Sequence, residues 1–239
     1  MANSTLKQKL ANNEMVLCGG VWDSLSAIIE EKAGFDAVKL GSSQLNASLG
    51  LPDLGLVTAA EVRDRIYNIS NHIQIPLIVD FESGFGSERD IASAVYWAGE
   101  FERAGATAIH IDDYGDDKCP WLPPYIPEMM SAESVADKIK AICDHRKSED
   151  FLIIVRSGAT SSCSFTDKEA AFEESMRPYV EGSGSGCSVA QMLLRRASDP
   201  LPRRARRIPL PVRGKQGRTG ACGSRGAHGG PVLQCKRVP

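Results

Sequence analysis

Two acids stand two residues apart at the end of an apolar run, Pro76-Leu77-Ile78-Val79-Asp80-Phe81-Glu82, and no other stretch of the chain is better placed to do chemistry. Side chains of an extended strand alternate between its faces, so Asp80 and Glu82 are expected on one side of a sheet. Paired carboxylates there suit a hard divalent cation, which takes oxygen ligands. Other reactive residue types also follow apolar runs: Gly41-Ser42-Ser43 after 37–40, Asp112 and Asp113 after 108–111, Arg156 after 151–155. Lys118 and Cys119 lie just beyond the fourth run, and Asp53 sits in the loop 49–55 between two glycines. Arg156 has two readings, a clamp for a substrate anion or an ion-pair partner of the acids.

The elements that must position these residues are legible in the spacing of apolar side chains. Strands are expected at 15–19, 37–41, 76–82, 108–113 and 151–159, and helices at 24–32, 59–71, 88–104 and 132–147. Thr58 with Glu61 has capping-box form, Ser131 with Ser134 marks another helix start, and Gly34 and Gly105 stand where helices should stop. Strand–helix alternation with short links predicts parallel pairing by right-handed crossovers, in a barrel or a doubly wound sheet. Gly84-Phe85-Gly86 lacks the third glycine of a dinucleotide-binding turn, so the (β/α)8 TIM-type barrel is favoured. In a barrel, chemistry sits where strands end. His110, Trp22 and Trp97 are expected to pack within the core, and His72 and His145 to be exposed.

Composition bounds the rest. The 239 residues suit one α/β domain, and no run of 18 apolar residues or secretory leader is evident, so a soluble cytoplasmic protein with no membrane partner is expected. Seven scattered cysteines show no metal-ligand spacing and an odd count, as for free thiols in a reducing compartment. The formal net charge of −2 hides an asymmetry, because twelve of the 28 Lys+Arg and one of the 30 Asp+Glu fall after Glu181. Residues 1–181 therefore read as a partial barrel domain of five strand–helix units. Residues 182–239 read as a Gly/Pro/Arg-rich tail, expected to be disordered. The tail carries no aromatic residue after Tyr179, which argues against nucleic-acid binding. The barrel thus looks truncated after its fifth unit, and the Gly-Ser-Gly-Ser-Gly junction resembles an out-of-frame reading of a GC-rich gene.

Five ordered stretches resemble the isocitrate lyase/phosphoenolpyruvate mutase superfamily: Gly20-Val21-Trp22-Asp23-Ser24-Leu25-Ser26-Ala27, Leu49-Gly50-Leu51-Pro52-Asp53, Val79 to Gly86, Ile109-His110-Ile111-Asp112-Asp113 and Ile154-Val155-Arg156. The resemblance implies a Mg2+-dependent barrel enzyme that acts on small α-keto or α-hydroxy acids and is a homo-oligomer when full-length. It implies Asp80 as direct metal ligand, Glu82 and Asp112 holding metal-bound waters, and Gly41, Ser42, Ser43 and Arg156 binding the substrate. Asp53, Lys118 and Cys119 take catalytic roles, the last two on a lid after the fourth strand. The lid reads Lys118-Cys119-Pro120-Trp121, whereas the lyase branch has Lys-(Lys/Arg)-Cys-Gly-(His/Ser), with its thiol one residue further from the lysine. That departure favours a phosphonomutase forming or rearranging a P–C bond of phosphoenolpyruvate-type substrates, as in phosphonate biosynthesis. The alternative is a C–C lyase for methylisocitrate- or alkylmalate-like acids. The third reading is a non-catalytic relative with a basic binding tail.

Overall fold

The computed structural model describes residues 2–12, 14–115, 129–156 and 189–191. Twelve elements follow in order: α1 (Ala2–Ala11), β1 (Cys18–Val21), α2 (Ser24–Ala33), β2 (Ala37–Leu40), α3 (Ser42–Ser48), α4 (Ala59–Ser70), β3 (Leu77–Asp80), α5 (Ile91–Ala104), β4 (Ala108–Asp112), α6 (Ala132–His145), β5 (Leu152–Arg156) and β6 (Val189–Gln191). All strands pair in parallel, in the order β1-β2-β3-β4-β5-β6. A strictly sequential order means the sheet winds in one sense throughout, as a barrel does. A doubly wound sheet reverses its order at a switch point.

Helix boundaries follow local chemistry. Asp23 and Thr58 close capping boxes at the starts of α2 and α4, and Ser131 caps α6. Gly34 and Gly105 end α2 and α5 in left-handed backbone with φ 89° and 106°, a conformation that costs glycine little.

The sheet separates two cores. Outward-facing Val38, Leu40, Val79, Ile109, Ile153 and Val155 pack under α4, α5 and α6 through Ile66, Phe101 and Ile139. Inward-facing Cys18, Ala37, Ile78, Ala108, Leu152 and Ile154 form a smaller floor with Leu6 and Leu10 of α1. By strand alternation Lys39, Asp80, His110, Asp112 and Arg156 share that inner face.

Four expectations need correction, the first of them Trp22, read as a core residue but 42% exposed. A sixth strand, β6, pairs with β5 inside the segment read as a disordered tail, so the sheet does not stop at the fifth strand. Averaging over an arginine-rich stretch hid the short apolar run Val189-Ala190 and the Met192-Leu193-Leu194 beyond it. The proposed junction near Glu181 lies outside the described residues. Helices α1 and α3 were not anticipated: α1 shows only Leu6 and Leu10 as an apolar stripe, and α3 is too short for a period to register. Cys18 is buried as expected, but Cys143 is disulfide-bonded, a pairing that scattered spacing does not announce.

Candidate metal and substrate site

The inner face turns polar at the C-terminal ends of β2 to β5. Asp80 ends β3, and its Oδ2 accepts from the Ser42 amide at 3.4 Å and the Ser42 hydroxyl at 3.3 Å, with Lys39 Nζ 3.5 Å away. Asp112 ends β4, and its Oδ2 accepts from Arg156 Nη1 at 3.1 Å. The Arg156 guanidinium also lies 5.8 Å from the centre of the Tyr114 ring. His110 Nδ1 is 3.1 Å from Lys39 Nζ and 3.7 Å from both Asp80 Oδ1 and Asp112 Oδ1. One donor atom from each of Asp80, His110 and Asp112 falls within 4.8 Å of the other two.

Burial dominates the electrostatics of this cluster. Burial pushes the Asp112 carboxyl up to about 8; Asp80 and Glu82 add to the rise, and Arg156 and Lys39 oppose it. Burial, then Lys39, lowers His110 to about 4, so the imidazole is neutral at ordinary pH. Burial works against the charge on Arg156, but Asp112, Tyr114 and Asp80 outweigh it and hold its pKa above the usual value. An ammonium can only donate, so His110 Nδ1 accepts from Lys39 and the ring proton resides on Nε2, which makes no hydrogen bond. The imidazole lone pair is thereby turned to Lys39. What remains for a cation are carboxylate oxygens, including Asp112 Oδ1, which is buried without a hydrogen bond. An all-oxygen set of crowded acids fits Mg2+ and not a softer metal.

Glu82 joins this group by a different route from the one expected. Strand β3 ends at Asp80, and Glu82 has φ 52°, in the left-handed region, so alternation does not govern it. It nevertheless lines the same cavity of about 410 Å3 as Gly41, Ser42, Asp80 and Asp112. Of the other expected residues, Ser43 is exposed and bonds Gln44, and Asp53 lies on the loop after α3 without lining the cavity. Lys118 and Cys119 lie outside the described residues. Arg156 is engaged by Asp112, which is the ion-pair reading of that residue.

Sequence reasoning passed over Lys39, His110, Asn46 and Tyr114. Lys39 had a signal, since it is the one charged residue within the buried strand Ala37-Val38-Lys39-Leu40. His110 had one too, because it alternates in phase with Asp112; its expected burial is correct, but it packs against the site. Asn46 is buried on α3 and bonds the Ser42 carbonyl at 2.9 Å, and that helix had no periodic signature to place it.

Residues 6–202 match the phosphoenolpyruvate phosphomutase family. The chain is 34% identical over 162 residues to the 2-methylisocitrate lyase of Shewanella oneidensis, covering 67% of this chain and 54% of that protein. It spans about half the length of the curated relatives it matches. Phosphoenolpyruvate phosphomutase from Streptomyces platensis subsp. rosaceus superposes with a TM-score of 0.70 at 23% identity, over 80% of this chain and 64% of that one. A phosphonopyruvate hydrolase solved with oxalate and Mg2+ gives 0.66 at 25% identity, over 76% and 60%.

Proposed function

Because the chain belongs to the phosphoenolpyruvate phosphomutase family, we propose that it is a Mg2+-dependent enzyme cleaving a C–C bond in a 2-hydroxy di- or tricarboxylate of the methylisocitrate or alkylmalate kind. The carrying observation is the inward-facing pair Asp80 and Asp112 on adjacent strands, with Glu82 on the same cavity and the Asp112 carboxyl pushed up by burial. Asp80 and Asp112 would hold the cation, with Glu82 placed to act through water. Bound there, Mg2+ supplies positive charge beside the oxygens on which negative charge builds.

The chain's own residues do the rest. Ser42 fixes the Asp80 carboxylate through its amide and hydroxyl, and Arg156 brings a guanidinium fork, suited to a substrate carboxylate, to the same end of the sheet. In the cleavage, the 2-hydroxyl loses its proton, a carbonyl forms, and the adjacent C–C bond breaks towards a fragment that takes up a proton at carbon. Asp53, Lys118 and Cys119 are proposed for these proton movements. The phosphonomutase reading, favoured from the sequence, becomes second: most of the similar curated proteins bear lyase names and two are oxaloacetate decarboxylases, while the family description and the missing Cys-Gly-His of the lid favour the mutase.

Calorimetry of Mg2+ added to metal-free protein, followed by substrate turnover, tests the proposal. Saturable uptake is expected, weakened at least about tenfold by Asp80→Asn. Mg2+-dependent release of a 2-oxo acid from methylisocitrate or dimethylmalate supports the lyase; a 31P signal of a P–C bond from phosphoenolpyruvate selects the mutase. No Mg2+ uptake by the wild-type protein overturns both.

A further inference from the structure

Lys138 lies in the apolar stripe of α6, among Val135, Ala136, Ile139 and Ile142, and is fully buried. A buried ammonium loses several kcal/mol of hydration, and a methionine would fill the same space without that loss. What the charge gains is specific. Lys138 Nζ donates to the carbonyls of Ser83 and Ser87, both at 2.9 Å, and lies 3.7 Å from Met130 Sδ. Both carbonyls belong to the turn between β3 and α5, which carries Glu82.

That turn needs holding. Glu82 and Phe85 have φ 52° and 56°, left-handed values that L-residues adopt at a cost of about 1–2 kcal/mol each. Gly84 between them has φ 107°. Two more bonds from α6 grip the far end, from Ser134 Oγ to the Glu88 carbonyl at 2.8 Å and from the Ser131 amide to Glu88 Oε1 at 2.9 Å. Ser131, Ser134 and Lys138 sit at helical spacing, so one face of α6 spans the turn from 83 to 88. The near end reaches the site directly, because the Glu82 carbonyl accepts from the Asp112 amide at 2.7 Å.

We propose that Lys138 is a positioning residue for the acid cluster: it straps the strained β3–α5 turn to α6 and thereby fixes Glu82 relative to Asp80 and Asp112. The functional part rests on the Mg2+ reading above; the strap itself does not. Hydrogen exchange on the metal-free chain reads the strap, and calorimetry with Mg2+ reads its consequence. In Lys138→Met, amides 82–88 are expected to exchange at least about tenfold faster while those of β5, and of β4 before Asp112, stay unchanged. Mg2+ affinity is expected to fall about tenfold. Lys138→Arg, which keeps the charge and the donors, should recover part of both. If Lys138→Met fails to fold, Ser134→Ala removes one bond of the same strap and leaves the Ser131 cap, and should loosen amides 86–88. Unchanged exchange at 82–88 in the variants that fold overturns the strap. Faster exchange with unchanged Mg2+ affinity overturns the positioning role. Wild-type protein that takes up no Mg2+ overturns the metal reading and the positioning role with it, while the exchange result still stands or falls separately.

Discussion

Asp112 is buried beside Asp80, His110 and Arg156, and the balance among these neighbours decides how the protein responds to pH. Its folded pKa of about 8 lies above the ordinary carboxylate value of 3.8, so the fold binds this proton more tightly than the unfolded chain does. Stability from that proton is complete at low pH and is lost as pH rises through about 8. The metal-free protein is therefore expected to melt at lower temperature as pH is raised from about 6.5 to about 8. Saturating Mg2+ should flatten the dependence, since a cation on the carboxylate replaces the proton. His110, lowered to about 4 from 6.5, is protonated only in the unfolded chain between those values, so it opposes Asp112 below about pH 6.5 and adds no slope above it. Thermal denaturation across pH, with and without chelator, checks this: a metal-free melting temperature that climbs towards pH 8 would contradict it. Asp112→Asn, which cannot ionise, should lose the slope.

Elements carry a different kind of information, and here the sequence spoke unevenly. Thr58 and Glu61 announced the start of α4 because a capping box is local: the Thr58 hydroxyl accepts from the Glu61 amide at 3.3 Å, and Glu61 Oε2 accepts from the Thr58 amide at 2.8 Å. Removing that hydroxyl in Thr58→Ala is expected to cost about 1 kcal/mol, read as a lower denaturant midpoint at unchanged slope. Asp80 and Asp112 were legible for a similar reason, as acids ending apolar runs. Glu82 was reached by the wrong argument, because alternation ends with the strand and its left-handed backbone is imposed by a turn that α6 holds from outside. Lys39 and His110 were missed because their meaning lies in each other across two strands, 71 residues apart in sequence. Helix α3 was missed because seven residues do not display a period.

At the scale of the whole molecule, the inner face of the sheet is divided along the strand direction. Towards the N-terminal ends it is an apolar floor; towards the C-terminal ends it is the charged cluster. Helix α1 closes the floor: Leu6 and Leu10 sit against Val16, Cys18, Ala37, Ile78, Ala108, Leu152 and Ile154. Ion pairs fasten α1 to the rim, Lys9 to Asp36 at 2.6 Å and Lys7 to Asp150 at 2.9 Å. Asp36 also accepts from the Leu17 amide at 3.0 Å, so the turn before β2, the lead into β1 and α1 meet at one carboxylate. In a barrel of this type the floor end serves stability and the opposite end serves chemistry. Leu6 is 2% exposed, so Leu6→Ala opens a cavity there at a cost of about 2–5 kcal/mol. For a domain of this size that is a fall of roughly 4–20 °C in melting temperature, at about 2–4 °C per kcal/mol. The acids hang from strand ends on the other side of the floor, tied to Ser42, Lys39 and Arg156 and not to α1. Mg2+ affinity measured well below the melting temperature should therefore change less than about twofold in Leu6→Ala, because sites without shared partners act independently. Loss of Mg2+ binding in a variant that remains folded would show that the two ends of the inner face are mechanically coupled, and the division between floor and site would have to be withdrawn.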